Sequence, residues 1–408
     1  MRKNVLIIGA GGVAGVAAHK CAQHNHILGD ICIASRTQAK CDAIIESVHR
    51  KNNLKEKANR LYSRRIDALD IPATVDLIRE TDSSIVINLG TAFINMSVLE
   101  ACLATGAAYM DTAIHEEPDK ICENPPWYAN YEWKRLDACR EKGVTAILGA
   151  GFDPGVVNAY CAYGKKHHFD TIDTIDIMDV NAGDHGKFFA TNFDPEINFR
   201  EFTGRVWTWI DRQWVSKPVH SEKRKYHFPR IGERTVYLNG HDELHSLWKN
   251  IDANSIRFWM GFSDHYINCF TVLKNIGLLS EQPVITAEGL EVVPLKVVKA
   301  CLPAPDSLAP EYTGKTCIGN LIKGRKDGRD REVFIYNICD HEKCYDEVES
   351  QAISYTAGVP PVAAAVLIAN GTWDVKKMVN IEELDPDPFL DLLHKMGLEA
   401  EIREENGQ

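Results

Sequence analysis

The sequence predicts an α/β protein in which a doubly wound parallel sheet is followed by an α+β domain with a largely antiparallel sheet. Three observations support this prediction. Residues 3–9 form a continuous apolar run ending at a glycine, which is typical of a strand buried on both faces of a parallel sheet. Apolar runs and helical segments then alternate to about residue 150. Beyond about residue 155, strand-like runs separated by polar and glycine turns predominate.

The order of these segments sets the expected domain boundaries. The first part predicts strands at 3–9, 31–34, 62–66, 85–88, 108–111 and 144–149, alternating with helices at 13–24, 37–58, 72–80, 95–105 and 129–142. A helix at 155–168 leads into strands at 171–180, 205–215, 233–239, 256–262 and 333–339. Residues 355–361 are predicted to open a helix with proline in its first turn. Its apolar continuation, 362–369, must be buried, and we expect it to pack on the first domain. The expected units are 1–154, 155–354 and 355–408.

Composition excludes several classes of protein. The chain has 408 residues, 45% of them hydrophobic and 25% charged, which is ordinary globular composition and excludes disorder, collagen and coiled coil. At about 150 residues per domain, two or three domains are expected. No run approaches the roughly 20 apolar residues of a membrane helix, and the first residues show neither an h-region nor a small-residue cleavage site, so a signal peptide is not expected. We therefore expect a cytoplasmic protein with no membrane partner.

Charge is distributed unevenly along the chain. The net charge is −11, yet residues 1–80 carry 13 basic and 8 acidic side chains. No concentrated basic face is evident, so a nucleic-acid partner is not expected. The acidic remainder either keeps the surface soluble or receives cations. The twelve cysteines form no C-x-x-C pair and the fifteen histidines no H-E-x-x-H motif, so we predict no metal and no disulfide framework.

A glycine-rich turn after the first strand predicts a Rossmann-type dinucleotide site. Residues 9–15 match G-x-G-x-x-A between a strand and a helix. In this motif Gly9 permits the turn, Gly11 allows close approach of a pyrophosphate, and Gly12 and Val13 open the helix whose N-terminus holds it. A glycine turn with only a structural role is the alternative.

The end of the second strand favours NADPH. An acidic residue for the ribose 2′-hydroxyl of NAD is absent there, and the chain has Ser35, Arg36, Thr37 and Lys40 instead. Ser35 and Thr37 can donate hydrogen bonds to a 2′-phosphate, Arg36 can pair with it, and Lys40 adds charge. The alternative is a solvated cationic helix start, which the helix dipole disfavours.

Residues that follow other strands should meet at the same edge of the sheet. Asp153 and Pro154 follow the last strand of the first domain, where Asp153 is predicted to cap the next helix. This edge is where α/β proteins bind ligands, so Asp153 is also a candidate pocket residue. Four residues after two other strands are expected to line a nicotinamide pocket: Asn88, Gly90, Asp111 and Thr112.

The motifs together resemble the saccharopine dehydrogenase family. The resemblance lies in residues 9–15, 35–37, 86–89, 109–112 and 151–155. Within this family, the chain resembles the carboxynorspermidine (carboxyspermidine) dehydrogenase branch at residues 180–186, 189–198, 240–244, 351–355 and 382–386. The resemblance implies an NADPH-dependent reductive condensation of L-aspartate 4-semialdehyde with a diamine, 1,3-diaminopropane or putrescine, in polyamine biosynthesis.

This reaction requires a groove for a dicationic amine, an anchor for the amino-acid head and a proton shuttle. By correspondence with related homospermidine synthases, Asp153 and His241 are predicted for proton transfer or polar contact, with His185 third. Five carboxylates are candidates for the amine, with Trp207 and Trp209 as aromatic neighbours: Asp184, Glu196, Glu201, Asp242 and Glu243. The substrate carboxylate could be bound by Arg205, Lys187 or the helix N-terminus at Gly155 and Val156.

Two other functions stay open. One is a different imine reductase of the family, forming saccharopine or homospermidine. The other is a non-catalytic NADP(H)-binding sensor, which would have no need of the carboxylate-bearing second domain. A homodimer is expected as the commonest assembly.

Overall fold

The computed structural model describes residues 3–118, 123–203 and 205–405, with Glu201 and Thr203 described by their backbone alone. In the first domain the strands alternate with helices, because apolar runs of strand length are separated by amphipathic segments. These elements are β1 (Lys3–Ile8), α1 (Gly12–Gln23), β2 (Leu28–Ser35), α2 (Gln38–Arg50), β3 (Leu61–Arg65), α3 (Ile71–Glu80), β4 (Ser83–Asn88), α4 (Asn95–Thr105), β5 (Ala108–Met110), α5 (Leu136–Lys142) and β6 (Ala146–Leu148).

The second domain is richer in long strands. Its elements are α6 (Val156–Tyr163), β7 (Thr171–Asn181), α7 (Pro195–Thr203), β8 (Arg205–Ile210), β9 (Gln213–Pro218), β10 (Lys223–Phe228), β11 (Gly232–Asn239), α8 (Leu244–Asn250), β12 (Ala253–Gly261), α9 (Asp264–Asn275), β13 (Val284–Ile285), β14 (Glu291–Val292), α10 (Pro294–Cys301), β15 (Lys315–Lys326), β16 (Arg329–Asp340) and α11 (His341–Val348). The chain ends with α12 (Ala352–Ala369), β17 (Met378–Asn380), α13 (Pro386–Lys395) and β18 (Glu401–Glu404).

These strands form two large sheets, which confirms the predicted fold class. The first is parallel throughout, in the order β17-β6-β5-β4-β1-β2-β3. The second follows β10-β11-β12-β7-β15-β16-β18, and β8 and β9 extend it beside β12. Its pairings are antiparallel except for that between β12 and β7. The parallel sheet reverses its order between β1 and β4, which places a ligand crevice at that point.

The C-terminal segment contributes to both sheets. β17 is an edge strand of the parallel sheet and β18 an edge strand of the second sheet. Ahead of both strands in the chain, α12 packs closely on α1, since a Cβ at Gly358 would lie 2.7 Å from the carbonyl oxygen of Val13. The buried Lys20 of α1 pairs with Glu347 and donates to the Tyr355 hydroxyl at 2.7 Å. A buried ammonium is tolerated only with such partners, so this contact fixes α12 against α1.

Several predicted boundaries are wrong, for local reasons. The helix predicted over 37–58 ends at Arg50, and the one over 129–142 is α-helical only from Leu136, after two 3₁₀ turns. The strand predicted over 205–215 is a hairpin whose two-residue turn, Asp211 and Arg212, adopts positive φ. α12 begins at Ala352, so its two prolines lie in its interior rather than in its first turn. Burial on all sides stabilises this helix despite the donors that the prolines lack.

The expectation that no run approaches the length of a membrane helix is wrong for α12, which in the described part of the chain is the one helix long and apolar enough to cross a membrane. Most of its residues are buried inside the protein, between α1 and the second domain. α12 is therefore a core helix.

Candidate active site

A cavity of about 1010 Å³ lies between the carboxyl edge of the parallel sheet and the second sheet. At one end it is lined by residues 9–13, which follow β1, and at the other by residues of β7, β8, β12 and β15. A continuous space thus joins the predicted nucleotide site to the second domain.

The glycines after β1 form a cradle for an anion. Gly9 has φ +122°, and a Cβ there would lie 2.5 Å from the carbonyl oxygen of Leu89, so only glycine fits. A Cβ on Gly11 would instead meet open space in the cavity. The first turn of α1 carries neither an acidic residue nor a side-chain cap, which leaves its N–H groups directed at the cradle. These residues fit a dinucleotide pyrophosphate, and Gly12 and Val13 also line the cavity.

The turn after β2 presents two cations to the same end. Arg36 and Lys40 are exposed and line the cavity with Ser35 and Thr37. Ser35 is predicted to donate a hydrogen bond to a 2′-phosphate. Its hydroxyl instead donates to the carbonyl of Thr37 at 3.1 Å and accepts the Thr37 N–H at 3.2 Å. Ser35 thereby shapes the turn, and Arg36 and Lys40 supply its charge. Leu69, which no sequence motif indicates, is an exposed apolar side chain at this end that could pack on an adenine ring.

Two residues predicted for the nicotinamide pocket lie behind its wall. Asn88 donates to Asn95 Oδ1 at 2.8 Å. Asp111 is buried and accepts from the Gly149 N–H at 2.7 Å and the Tyr109 hydroxyl at 2.8 Å. Neither lines the cavity, whereas Gly90 and Thr112 do. Asn88 and Asp111 thus hold together the strand ends that form the wall.

The prediction that Asp153 caps α6 is wrong. Gly155 is the cap, and its N–H donates to the side chain of Asn158 at 2.9 Å. Gly155 has φ +142°, and a Cβ there would lie 2.0 Å from the carbonyl oxygen of Gly151, so this position requires glycine. Asp153 lies two residues earlier and lines the cavity. The N–H groups of Val156 and Val157 already donate to preceding carbonyls, which makes this helix start a poor anion site.

His241 lines the cavity, as does a second imidazole, that of His115. The Nδ1 of His241 lies 2.6 Å from Glu243 Oε2, and its ring stacks on Phe258 with centroids 4.2 Å apart. Glu243 has no exposed surface and does not line the cavity. Glu243 therefore orients His241, rather than contacting a substrate as the sequence suggested. Because Nδ1 is held by Glu243, Nε2 is the nitrogen that can exchange a proton with a substrate.

Two carboxylates share this end of the cavity. Asp242 accepts the Ile114 N–H at 2.7 Å, and burial raises the pKa of its carboxyl to about 7. Asp179 of β7 also lines the cavity, and burial raises its pKa to about 7. Asp179 is not predicted from the sequence, because an acidic residue within a strand gives no local signal of function. Each of the two carboxyls interacts electrostatically with His241.

The remaining candidates lie elsewhere. Asp184 pairs through its backbone with Thr313, His185 contacts the ring of Tyr312, and Glu196 pairs with Lys299. None of the three lines the cavity. The side chain of Glu201 lies outside the described residues.

Of the candidates for binding the substrate carboxylate, Arg205 lines the cavity together with Trp207. Lys187 pairs with Glu311 instead. Trp209 packs against Trp214 and Trp248 and does not line the cavity.

Comparison with known protein families assigns both domains. Residues 5–147 match the saccharopine dehydrogenase NADP binding domain, and residues 151–398 match the saccharopine dehydrogenase C-terminal domain. The chain belongs to the saccharopine dehydrogenase family. This confirms the resemblance read from the motifs. As a member of this family it is an oxidoreductase whose first domain binds a nicotinamide cofactor.

Characterised relatives narrow the branch of the family. The chain is 50% identical to carboxynorspermidine synthase of Vibrio alginolyticus, over 99% of this chain and 98% of that protein. It is 48% identical to carboxynorspermidine synthase of Vibrio cholerae, with the same coverage. It is 43% identical to carboxyaminopropylagmatine dehydrogenase of Synechocystis, over 97% of this chain and 96% of that protein.

A solved structure of the family shares the fold. It is apo saccharopine dehydrogenase (L-Glu forming) of Saccharomyces cerevisiae, with a TM-score of 0.71 and 13% identity. The match covers 99% of this chain and 100% of that one. At this identity the likeness supports the two-domain architecture and not the substrate.

Replacing Asp111 with Asn tests its role behind the cavity wall. The unfolded carboxyl ionises near pH 4, whereas burial raises the pKa of the folded one to about 7. Between these values the Asp111 contribution to the free energy of unfolding falls as pH rises, by at most about 1.4 kcal/mol per pH unit. The variant has no carboxyl at this position and so lacks this pH dependence. Its free energy of unfolding, relative to that of the wild type, should therefore rise when the pH is raised from 5 to 7. Urea unfolding at both pH values measures the gain, and an unchanged difference contradicts it.

Proposed function

We propose that the protein catalyses the NADPH-dependent reductive condensation of L-aspartate 4-semialdehyde with a diamine, 1,3-diaminopropane or putrescine. The product is carboxynorspermidine or carboxyspermidine, and the reaction belongs to polyamine biosynthesis. The observation that carries this proposal is the full-length identity of 50% and 48% to two carboxynorspermidine synthases. The cavity supports it, because a space leading from a nucleotide cradle to the carboxylates of Asp179 and Asp242 suits a hydride donor and a cationic substrate.

The chemistry proceeds through an imine. A neutral amine adds to the aldehyde carbon, and the carbinolamine loses water to give a protonated imine. NADPH, when bound, supplies the hydride that reduces this imine to a secondary amine, so the enzyme acts as an oxidoreductase on a CH–NH bond. The protein must hold both substrates, move protons during addition and dehydration, and keep bulk water from the imine.

His241 is assigned the proton transfer. Glu243 binds Nδ1 and so fixes the tautomer and stabilises the imidazolium, while Nε2 protonates the departing hydroxyl of the carbinolamine. Asp153 and Asp242 line the same space and are assigned polar contacts with the amine. Arg205 is assigned the carboxylate of the aldehyde, because it lines the cavity while Lys187 is paired elsewhere.

The expected homodimer stays a prediction.

NADPH is proposed over NADH because of the turn after β2. Residues 35–37 and 40 carry two positive charges and no acidic side chain. Arg36 can pair with a 2′-phosphate through its guanidinium, and Lys40 lies one helical turn further along.

Turnover in vitro tests the proposal directly. Purified protein with NADPH and aspartate semialdehyde is offered 1,3-diaminopropane, putrescine, agmatine and lysine in separate assays, and NADPH absorbance is followed. We expect oxidation with the first two amines and a product mass equal to aldehyde plus amine plus two hydrogens less one water. Agmatine tests the activity named in the Synechocystis relative, and lysine tests a saccharopine-type reaction. Absence of oxidation with every amine would leave the non-catalytic sensor as the better hypothesis.

Replacing Arg36 with Ala tests the cofactor assignment. Loss of a charged contact to the 2′-phosphate should raise the KM for NADPH about 10- to 100-fold and leave the KM for NADH nearly unchanged. Steady-state kinetics with both nucleotides measures this, with Arg79→Ala as the control because Arg79 is an exposed arginine of α3 away from the cavity. Equal effects on both nucleotides would show that Arg36 does not contact the phosphate.

Replacing Glu243 with Gln separates orientation of His241 from substrate binding. A Gln preserves shape but removes the charge that stabilises the imidazolium, so kcat should fall roughly 100-fold with little change in the KM for the diamine. The basic limb of the kcat profile should also shift to lower pH, since His241 acts in its protonated form and loses the anionic partner that stabilises that form. Asp184→Asn is the control. A raised KM for the diamine at unchanged kcat would instead make Glu243 a substrate ligand.

A further inference from the structure

Strand β7 contains two aspartates with opposite environments. Asp176 and Asp179 are three residues apart, so they lie on opposite faces of the sheet. Asp176 is buried and accepts from Arg257 Nε at 2.7 Å, Trp259 Nε1 at 2.8 Å and Arg224 at 2.9 Å. Its charge is thus fully compensated from neighbouring strands, and its role is structural.

Asp179 lies on the face that lines the cavity. Its partners across the sheet are Met260 of β12 and Ile318 of β15, and both line the cavity as well. The Asp179 carboxylate therefore lies between two apolar side chains, in a row formed by Met260, Asp179 and Ile318 on three adjacent strands. Its Oδ1 is buried and has no hydrogen-bond partner among the described residues. An anion left in this state is costly, and a bound cation would offset the cost.

The shape of this row indicates which cation fits. An α,ω-diamine consists of an apolar chain of methylenes with a charged group at each end. Met260 and Ile318 can pack against methylenes, and Asp179 between them can accept hydrogen bonds from an ammonium. His241 lies close enough to Asp179 to interact with it electrostatically, so the row adjoins the group assigned to proton transfer.

We propose that Asp179 binds the ammonium group of the diamine that does not react, and thereby selects diamines over monoamines. This proposal rests on the proposed function, and it adds the residue that determines the amine specificity. The competing explanation is that Asp179 serves only as a counter-ion for His241. The two explanations differ in whether the effect of Asp179 depends on the second amino group of the substrate.

The decisive experiment removes the Asp179 carboxylate from the protein in one comparison and the second amino group from the substrate in the other. Asp179→Asn is compared with the wild type using 1,3-diaminopropane and n-propylamine, which lacks the second amino group. We expect kcat/KM for the diamine to fall about 30- to 100-fold, corresponding to about 2–3 kcal/mol. The low value for propylamine, and the KM values for NADPH and the aldehyde, should change less than about threefold. Asp173→Asn is the matched control, since Asp173 is an exposed aspartate of the same strand. An equal loss with both amines would overturn the proposal in favour of the counter-ion role.

Direct binding separates this proposal from the proposed function. Titration calorimetry of 1,3-diaminopropane into the enzyme loaded with NADP⁺ needs no turnover. Binding by the wild type and loss of binding in Asp179→Asn would support Asp179 as the ammonium ligand even if the condensation itself were not observed. Equal affinity of variant and wild type would overturn the proposal even if the condensation were active.

A second variant guards against a simple folding defect. Asp179→Glu moves the carboxylate outward by one methylene and should favour the shorter diamine. The ratio of kcat/KM for 1,3-diaminopropane to that for putrescine should rise about tenfold over the wild type, which is the scale of one methylene. A misfolded protein cannot gain selectivity, so an unchanged ratio in an active variant would contradict the proposal.

Discussion

The site depends on carboxylates that are held in a cavity without enough positive charge to neutralise them. Asp179 and Asp242 both line the cavity, and burial raises the pKa of each carboxyl to about 7. Such groups are costly to the fold, because desolvation disfavours the charged form. The fold retains them where surrounding backbone and strands fix their positions, as the Ile114 N–H does for Asp242. A cationic ligand supplies the positive charge that the surrounding residues lack. Charge as well as shape therefore determines which ligands the cavity binds.

Placing these carboxylates opposite a nucleotide cradle requires the two sheets to be held in a fixed relation. The C-terminal segment does this, since it adds an edge strand to each sheet and packs α12 along α1. The first turn of α12 also reaches the cofactor end, where Ser354 lies within 3 Å of the Cβ position of Gly12. Lys20 is buried at this contact with Glu347 and Tyr355 as partners. One packed helix therefore fixes both the nucleotide end and the distance to the second domain.

The parts of the site that the sequence predicts are those encoded by neighbouring residues. The glycines at 9 and 11 and the cations at 36 and 40 follow strands whose ends necessarily meet at one edge, so their location could be inferred without coordinates. Asn88 and Asp111 follow strands at the same edge but face inward, and this distinction depends on hydrogen bonds to Asn95 and Gly149. The alternation of strands and helices likewise predicted the parallel sheet, while helix ends and the hairpin turn at residues 211 and 212 depended on local backbone geometry.

The second domain could not be predicted at the same level, because its side chains acquire their roles from distant strands. Asp176 and Asp179 belong to one short stretch of β7, and nothing in that stretch distinguishes them. Asp176 is neutralised by arginines about 50 and 80 residues further along the chain, whereas Asp179 meets Met260 and Ile318. The same is true of Glu243, whose contact with His241 converts a candidate ligand into an orienting group. In a mixed sheet, register decides which charge is paired and which is left for a ligand. The chemistry of this half of the cavity therefore follows from strand pairing, which a motif of adjacent residues cannot encode.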